Sequence, residues 1–207
     1  MTGLRLEVRD RDHLHRLRLP CVFVANHTSK LDAIVLLAAL PLRFAFVAKS
    51  ELARSAFLRW PLHRLGTLFV DRHPRHSNGS ATAQAIARLR QGDSLFFFPE
   101  GTFGDVPGLL AFHRGAFVAA ANAGADVVPI ALRGTRDVLP DLRRLPRRGS
   151  LEVAVGAPID PTEPEASPRS PEQMAAASLR QARAFIARGC GEPDLARPET
   201  EPRSGTS

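Results

Sequence analysis

In the run Val24-Ala25-Asn26-His27-Thr28-Ser29-Lys30-Leu31-Asp32, an imidazole and a carboxylate stand five positions apart. An imidazole titrates near neutrality and can take up or deliver a proton, and a carboxylate beside it fixes its tautomer and stabilises its protonated form. On a continuous helix, residues five apart are turned from each other by roughly 140°, so His27 and Asp32 meet only where the chain reverses. A strand running into a helix supplies that reversal. Residues 21–25 form a short apolar run rich in β-branched and aromatic side chains, and residues 30–40 carry an apolar helical face. Thr28 or Ser29 is placed to cap the helix, and Pro41 follows its end. Asp32 then falls in the first turn, where the helix dipole favours its ionised form. Taken alone, Asn26 and His27 read equally as turn residues and Asp32 as an ordinary first-turn acid.

Three further segments bear chemistry. Gly66-Thr67-Leu68-Phe69-Val70-Asp71-Arg72 is a glycine-opened strand that delivers an arginine at its end. In Leu95-Phe96-Phe97-Phe98-Pro99-Glu100-Gly101-Thr102, an apolar strand stops at a proline and a Glu-Gly-Thr turn follows. Residues 127–132 read as another buried strand.

The elements that must position these residues alternate along the chain. Strands are expected at 44–47, 68–71, 94–98, 127–132 and 151–155, the last half-exposed, and helices at 51–60, 80–90 and 115–122. That order implies an α/β fold, a mostly parallel central sheet flanked by helices. Such sheets place their sites beyond the carboxyl ends of the strands, where His27, Arg72 and Glu100 all fall. The expected organisation is a core at 1–158, a Pro-rich linker at 159–171, a C-terminal helix on or beside the core at 172–188, and a disordered tail at 189–207.

The Asn26-His27 to Asp32 block, the strand ending in Arg72, the Phe98-Pro99-Glu100-Gly101-Thr102 block and the 127–132 strand, in this order, resemble the glycerophospholipid acyltransferase family. The similarity runs from about Pro20 to Pro158 and includes Phe46-Val47-Ala48-Lys49 and Phe112-His113-Arg114-Gly115. It implies transfer of an acyl group from a thioester, acyl-CoA or acyl carrier protein, to the hydroxyl of a lysophospholipid such as 1-acylglycerol 3-phosphate. On that reading His27 is the general base and Asp32 its partner, with no covalent acyl-enzyme and no cofactor or metal. Ser29 is a helix cap rather than a nucleophile. Asn26, Phe69, Arg72, Glu100, Gly101 and Thr102 are the expected substrate-binding residues: Arg72 for phosphate, and the amides near Gly101 and Thr102 for the developing oxyanion. Phe103 stands where lysophosphatidate-type members usually carry an arginine, which opens the acceptor to other headgroups. The alternatives are a glycerol 3-phosphate or lyso-aminolipid acyltransferase, or an inactive lipid-binding or scaffold protein.

Composition bounds the partners. The net charge is +7, and Lys30 and Lys49 are the only lysines. Such a surface suits anionic partners, but with no tyrosine and one tryptophan the chain lacks an aromatic stacking platform for nucleic acid. Two cysteines make no disulfide framework or thiolate metal site. His73 and His76 beside Asp71, and His13 with His15, lack a third ligand at metal spacing. No run approaches the roughly 20 apolar residues of a membrane-spanning helix, and charges stud the first twenty residues where a signal peptide would be apolar. The expectation is a cytoplasmic protein, peripheral at the inner face of the cell membrane. Many family members carry anchoring helices ahead of the His block; here a partner or surface charge is expected to supply that contact.

Overall fold

A computed structural model describes residues 3–49, 67–70, 78–102, 106–140, 145–162 and 170–196. Seven strands form one sheet: β1 Leu4–Arg9, β2 Val22–Ala25, β3 Ala45–Lys49, β4 Leu68–Val70, β5 Leu95–Phe97, β6 Val127–Arg133 and β7 Gly149–Val155. Their spatial order is β1-β7-β6-β2-β5-β3-β4. The five strands from β6 to β4 are mutually parallel, β7 runs antiparallel to β6, and β1 pairs parallel with β7. The sheet is therefore mostly parallel, with helices on both faces.

Among the described residues, the helices are α1 Asp32–Ala39, α2 Asn78–Arg90, α3 Gly115–Ala123, α4 Thr135–Val138 and α5 Pro171–Gly189. Strand alternation assigns side chains to two cores. Val22, Val24, Leu95, Phe97 and Val127 meet α2, α3 and α5 on one face. Phe23, Ala25, Phe96, Val128 and Ile130 meet α1 and the turn at Arg11–Arg16 on the other. Phe23, Phe96 and Phe117 are wholly enclosed, each contributing about 1.5–3 kcal/mol by burial.

This topology determines where a site can form. β2 and β5 are neighbours, yet α1 leaves β2 for one face while α3 leaves β5 for the other. The loops after the two strands part above the sheet, which is where ligand crevices open in such folds.

Several boundaries differ from expectation. The first strand, β1, escapes notice because Leu4, Leu6 and Val8 alternate with Arg5, Glu7 and Arg9 in a charge-rich stretch; it gains its place by pairing along β7 and by the Arg9–Glu152 ion pair. The helix cap falls on Leu31 with no side-chain bond, so Ser29, two residues earlier, is not the cap. The start of the expected linker is pinned, with Ile159 exchanging backbone hydrogen bonds with Val127. α5 opens on a reciprocal cap between Ser170 and Gln173 and buries Ala175, Ser178, Ala182 and Ile186. The tail expected to be disordered from 189 is instead docked through Ala196: the Leu109 N–H donates to the Pro193 carbonyl, the Leu195 N–H donates to the Leu109 carbonyl, and Glu192 pairs with Arg136. The helix expected at 51–60, Arg72, Phe103 and the His73, His76 and Asp71 group lie outside the described residues.

Candidate active site

β2 ends at Ala25, and the next two residues do different jobs. Asn26 is fully buried; its Nδ2 donates to the Leu132 carbonyl at 2.9 Å and its Oδ1 accepts the Leu132 N–H at 2.8 Å. The side-chain amide thus extends the pairing of β2 with β6 by one step. Both polar atoms of Asn26, an expected substrate contact, are committed to this strand in the structure and clamp β2 to β6.

His27 follows as the first residue past the clamp. Its Nδ1 lies 2.8 Å from Asp32 Oδ2, with the imidazole side chain 19% exposed and the carboxylate fully buried. The same Oδ2 accepts the N–H groups of Thr28 at 2.7 Å and Ser29 at 2.9 Å. Asp32 Oδ1 is buried with no hydrogen-bond partner among the described residues. Three donors converge on one oxygen, so the carboxylate is oriented through a single edge. As a pure acceptor when ionised, it selects the tautomer with the proton on Nδ1, which puts the imidazole lone pair on Nε2.

The opposite side of the site comes from β5. One residue past this strand, Phe98 stacks on the His27 ring with centroids 4.1 Å apart and planes 17° apart. Its own ring lies 5.4 Å from Phe96. Phe98 was not expected as a site residue. Its signal is the alternation of the Phe96-Phe97-Phe98 run, which sends Phe98 to the same face as Phe96, read together with a register that sets Phe23 beside Phe96.

A turn follows, closed by the Gly101 N–H donating to the Phe98 carbonyl at 2.9 Å. Gly101 has φ +73, a conformation glycine adopts without strain. Its amide, an expected oxyanion donor, closes the turn in this structure; Thr102 is exposed at the turn's exit. The turn throws Glu100 back into the protein, where Oε1 accepts the His27 N–H and Oε2 the Leu110 N–H, both at 2.7 Å. Burial pushes the Glu100 carboxyl above its ordinary value, against the pull of those two amides and of the His27 and Arg183 charges. Both oxygens of Glu100, an expected substrate contact, accept backbone N–H groups, and one of them holds the His27 amide. Phe69 is half-buried on β4, separated from β2 by β5 and β3.

Buried nucleophile types do not serve this cleft. The Ser29 hydroxyl donates to the Leu139 carbonyl at 2.8 Å, and it also accepts the Leu31 N–H. The Cys21 thiol is buried beside Ser94, and desolvation pushes it up to about 12. Among the described residues no group of three His, Cys, Asp or Glu is disposed to hold a metal, and His13 Nδ1 lies 2.8 Å from the Val155 carbonyl. What remains is the hydrogen-bonded pair His27 and Asp32, at the carboxyl end of β2.

A model of the Acyltransferase family matches residues 5–133. A chloroplastic 1-acyl-sn-glycerol-3-phosphate acyltransferase of Arabidopsis thaliana is 31% identical over 156 residues, covering 75% of this chain and 44% of its own length. The human 1-acyl-sn-glycerol-3-phosphate acyltransferase beta is 36% identical over 154 residues, covering 74% and 55%. The chain thus spans about half the length of the curated relatives it matches. The crystal structure of the 1-acyl-sn-glycerophosphate acyltransferase PlsC from Thermotoga maritima superposes with a TM-score of 0.67 at 24% identity, over 90% of this chain and 74% of that one. That likeness shows the fold.

Proposed function

The chain belongs to the acyltransferase family, and from that premise we propose that it moves a fatty acyl group from an acyl thioester, acyl-CoA or acyl carrier protein, to the free hydroxyl of a lysophospholipid. The names of the relatives point to 1-acylglycerol 3-phosphate as acceptor. The observation that carries the reading is the 2.8 Å pairing of His27 Nδ1 with buried Asp32 at the carboxyl end of β2.

In this mechanism His27 Nε2 removes the acceptor's hydroxyl proton as its oxygen attacks the thioester carbonyl. Asp32 stabilises the resulting imidazolium, as the acid of a catalytic triad does. The tetrahedral intermediate collapses with cleavage of the C–S bond, and the imidazolium returns the proton to the departing thiolate. The acceptor itself is the nucleophile, which accords with the enclosure of Ser29 and Cys21. Phe98 holds the ring in plane, and Arg72 takes the acceptor's phosphate. Phe69 and Thr102 border the acceptor's path. No metal or cofactor takes part.

Contact with the membrane surface belongs to the same reading. No helix of the described residues is long and apolar enough to cross a membrane. α1 is apolar on both sides: Val35, Leu36 and Ala39 enter the core, while Ile34, 63% exposed, and Leu37 face outward. Exposed Lys30 and Arg43 flank it. An apolar strip between cations suits the interface of an anionic bilayer, here the cytoplasmic face of the cell membrane.

The test is turnover by purified protein of labelled acyl-CoA and acylated carrier protein against a panel of lysolipids, glycerol 3-phosphate included, with products read by mass spectrometry. The expected product is the diacyl lipid, formed fastest from 1-acylglycerol 3-phosphate. Folded protein that acylates no member of the panel would overturn the reading.

A further inference from the structure

The family match ends at Arg133, but the support of His27 extends well past it. Glu100 is almost fully buried, and among the described residues no cation touches it; its oxygens are filled by the amides of His27 and Leu110. Among the described residues, Arg183 of α5 is a permanent positive charge whose field acts on it. That guanidinium is itself largely enclosed. It donates from Nη1 to the Leu110 carbonyl at 2.6 Å and from Nη2 to the Leu109 carbonyl at 3.3 Å, and it pairs with Asp194. Its carbon lies 4.8 Å from the Phe112 ring centroid. Leu110 is therefore held from both sides, its N–H by Glu100 and its C=O by Arg183. A continuous line of bonds runs from α5 through Leu110 and Glu100 to the backbone of His27.

We propose that Arg183 is a positioning residue for the transfer reaction: by gripping the backbone of Leu109 and Leu110 it holds Glu100 against His27. The inference rests on the acyl-transfer reading above and deepens it. Two physical effects combine. The Leu110 amide can orient Glu100 only if the loop after the turn stays in place, and three contacts from Arg183, to Leu109, Leu110 and Phe112, keep it there. A carboxylate in a dry site also takes up a proton readily unless a cation stands near, and α5 delivers one without forming a direct ion pair. Among the described residues, the charged and titratable groups facing Glu100 are His27 from the end of β2, Arg183 from α5, and Cys190 just past it.

The alternative role for Arg183 is only to fasten residues 190–196, and a double-mutant cycle separates the two. Steady-state transfer from acyl-CoA to 1-acylglycerol 3-phosphate would be measured with the full chain for wild type, Arg183→Gln, Arg183→Lys, Glu100→Gln and the double variant Glu100→Gln/Arg183→Gln. Arg183→Gln should lower kcat by about tenfold or more through misplacement of the base, with KM little changed, and its rate should fail at a higher pH on the acid side. Arg183→Lys should restore part of kcat and leave the acid limb near wild type. In the Glu100→Gln background the Arg183→Gln step should cost little, because the partner it acts through is gone. Losses that multiply, or a wild-type kcat in Arg183→Gln, would overturn the proposal. If Arg183→Gln does not fold, Arg183→Lys decides: a lowered kcat at unchanged KM supports the role, and an unaltered kcat refutes it. A wild-type protein that transfers no acyl group would overturn the activity reading and this inference with it. Full activity in wild type and variants alike would overturn this inference alone.

Discussion

At the amino ends of β2 and β6, Arg18 grips buried Asp126 through two bonds of 3.1 and 2.6 Å and reaches Asp160 at 2.5 Å. At the carboxyl ends of β2 and β5, Asp32 and Glu100 are as deeply buried, yet their polar contacts are peptide N–H groups and one imidazole. An arginine cancels most of the charge it pairs with, and a carboxylate so matched has little field left to exert. Backbone amides orient a negative charge while cancelling only part of it. The difference teaches that this sheet fastens one end with ion pairs and leaves its buried charge only partly compensated at the other. The pair proposed to move the proton stands at the second end.

The largest expected effect tests whether the second end works at all. His27→Ala should lower acyl transfer by about 10²–10⁴-fold with the circular dichroism spectrum and thermal midpoint near wild type, since the ring is partly exposed. Near-normal turnover would leave the two ends equivalent. Asp32→Asn is more discriminating. An asparagine can keep its oxygen at the Oδ2 position, accepting all three donors, and set its nitrogen where Oδ1 has no partner. Geometry survives and charge is lost, so kcat should fall about 10²-fold or more with a small change in midpoint. A wild-type kcat in this variant would show that the charge does nothing and would dissolve the contrast.

The smallest effect concerns pH and sharpens the contrast by its sign. Glu100 has a carboxyl raised by burial, so the folded state binds its proton more tightly than the unfolded one does. Its contribution to stability is present below the ordinary carboxylate range and is lost as pH rises through the raised value. Asp160 is the reverse: burial opposes, but hydrogen bonds from Thr162 and Arg18 outweigh it and hold the carboxyl low. Its contribution is present above the ordinary range and is lost as pH falls. In urea denaturation, the deficit of Glu100→Gln relative to wild type should therefore be largest in acid. It should reach roughly 1–3 kcal/mol, because one of the two amides loses its acceptor. The deficit of Asp160→Asn should be largest at neutral pH and at most about 1 kcal/mol. Slopes of the same sign would break the comparison.

The sequence makes the dyad legible because it is local. His27 and Asp32 lie within one strand-to-helix reversal, and the amides of Thr28 and Ser29 that complete it lie between them. The parallel sheet is legible for a similar reason, since its strands and helices each carry their own periodicity. Long-range partners are not legible in this way. Phe98 beside His27 depends on the register of β2 against β5, and the commitment of Glu100 depends on Leu110 folding back onto it. Asn26 reads as a turn residue until its partner Leu132, more than a hundred positions away, is known. The stretch after Gly189 looks unfoldable by composition, yet Arg136 and Arg183 capture its acids as far as Ala196.

The asparagine clamp has a bearing on how the protein ages. Asparagine side chains hydrolyse slowly to aspartate when the following backbone nitrogen attacks them. An acid at position 26 would deny the Leu132 carbonyl its donor and strand a charge where no water reaches. The nitrogen that would begin the attack belongs to His27, and its hydrogen is donated to Glu100. The same bond that seats the base thus guards its neighbour against chemical decay, giving the pair a durability that an exposed Asn-His sequence would lack.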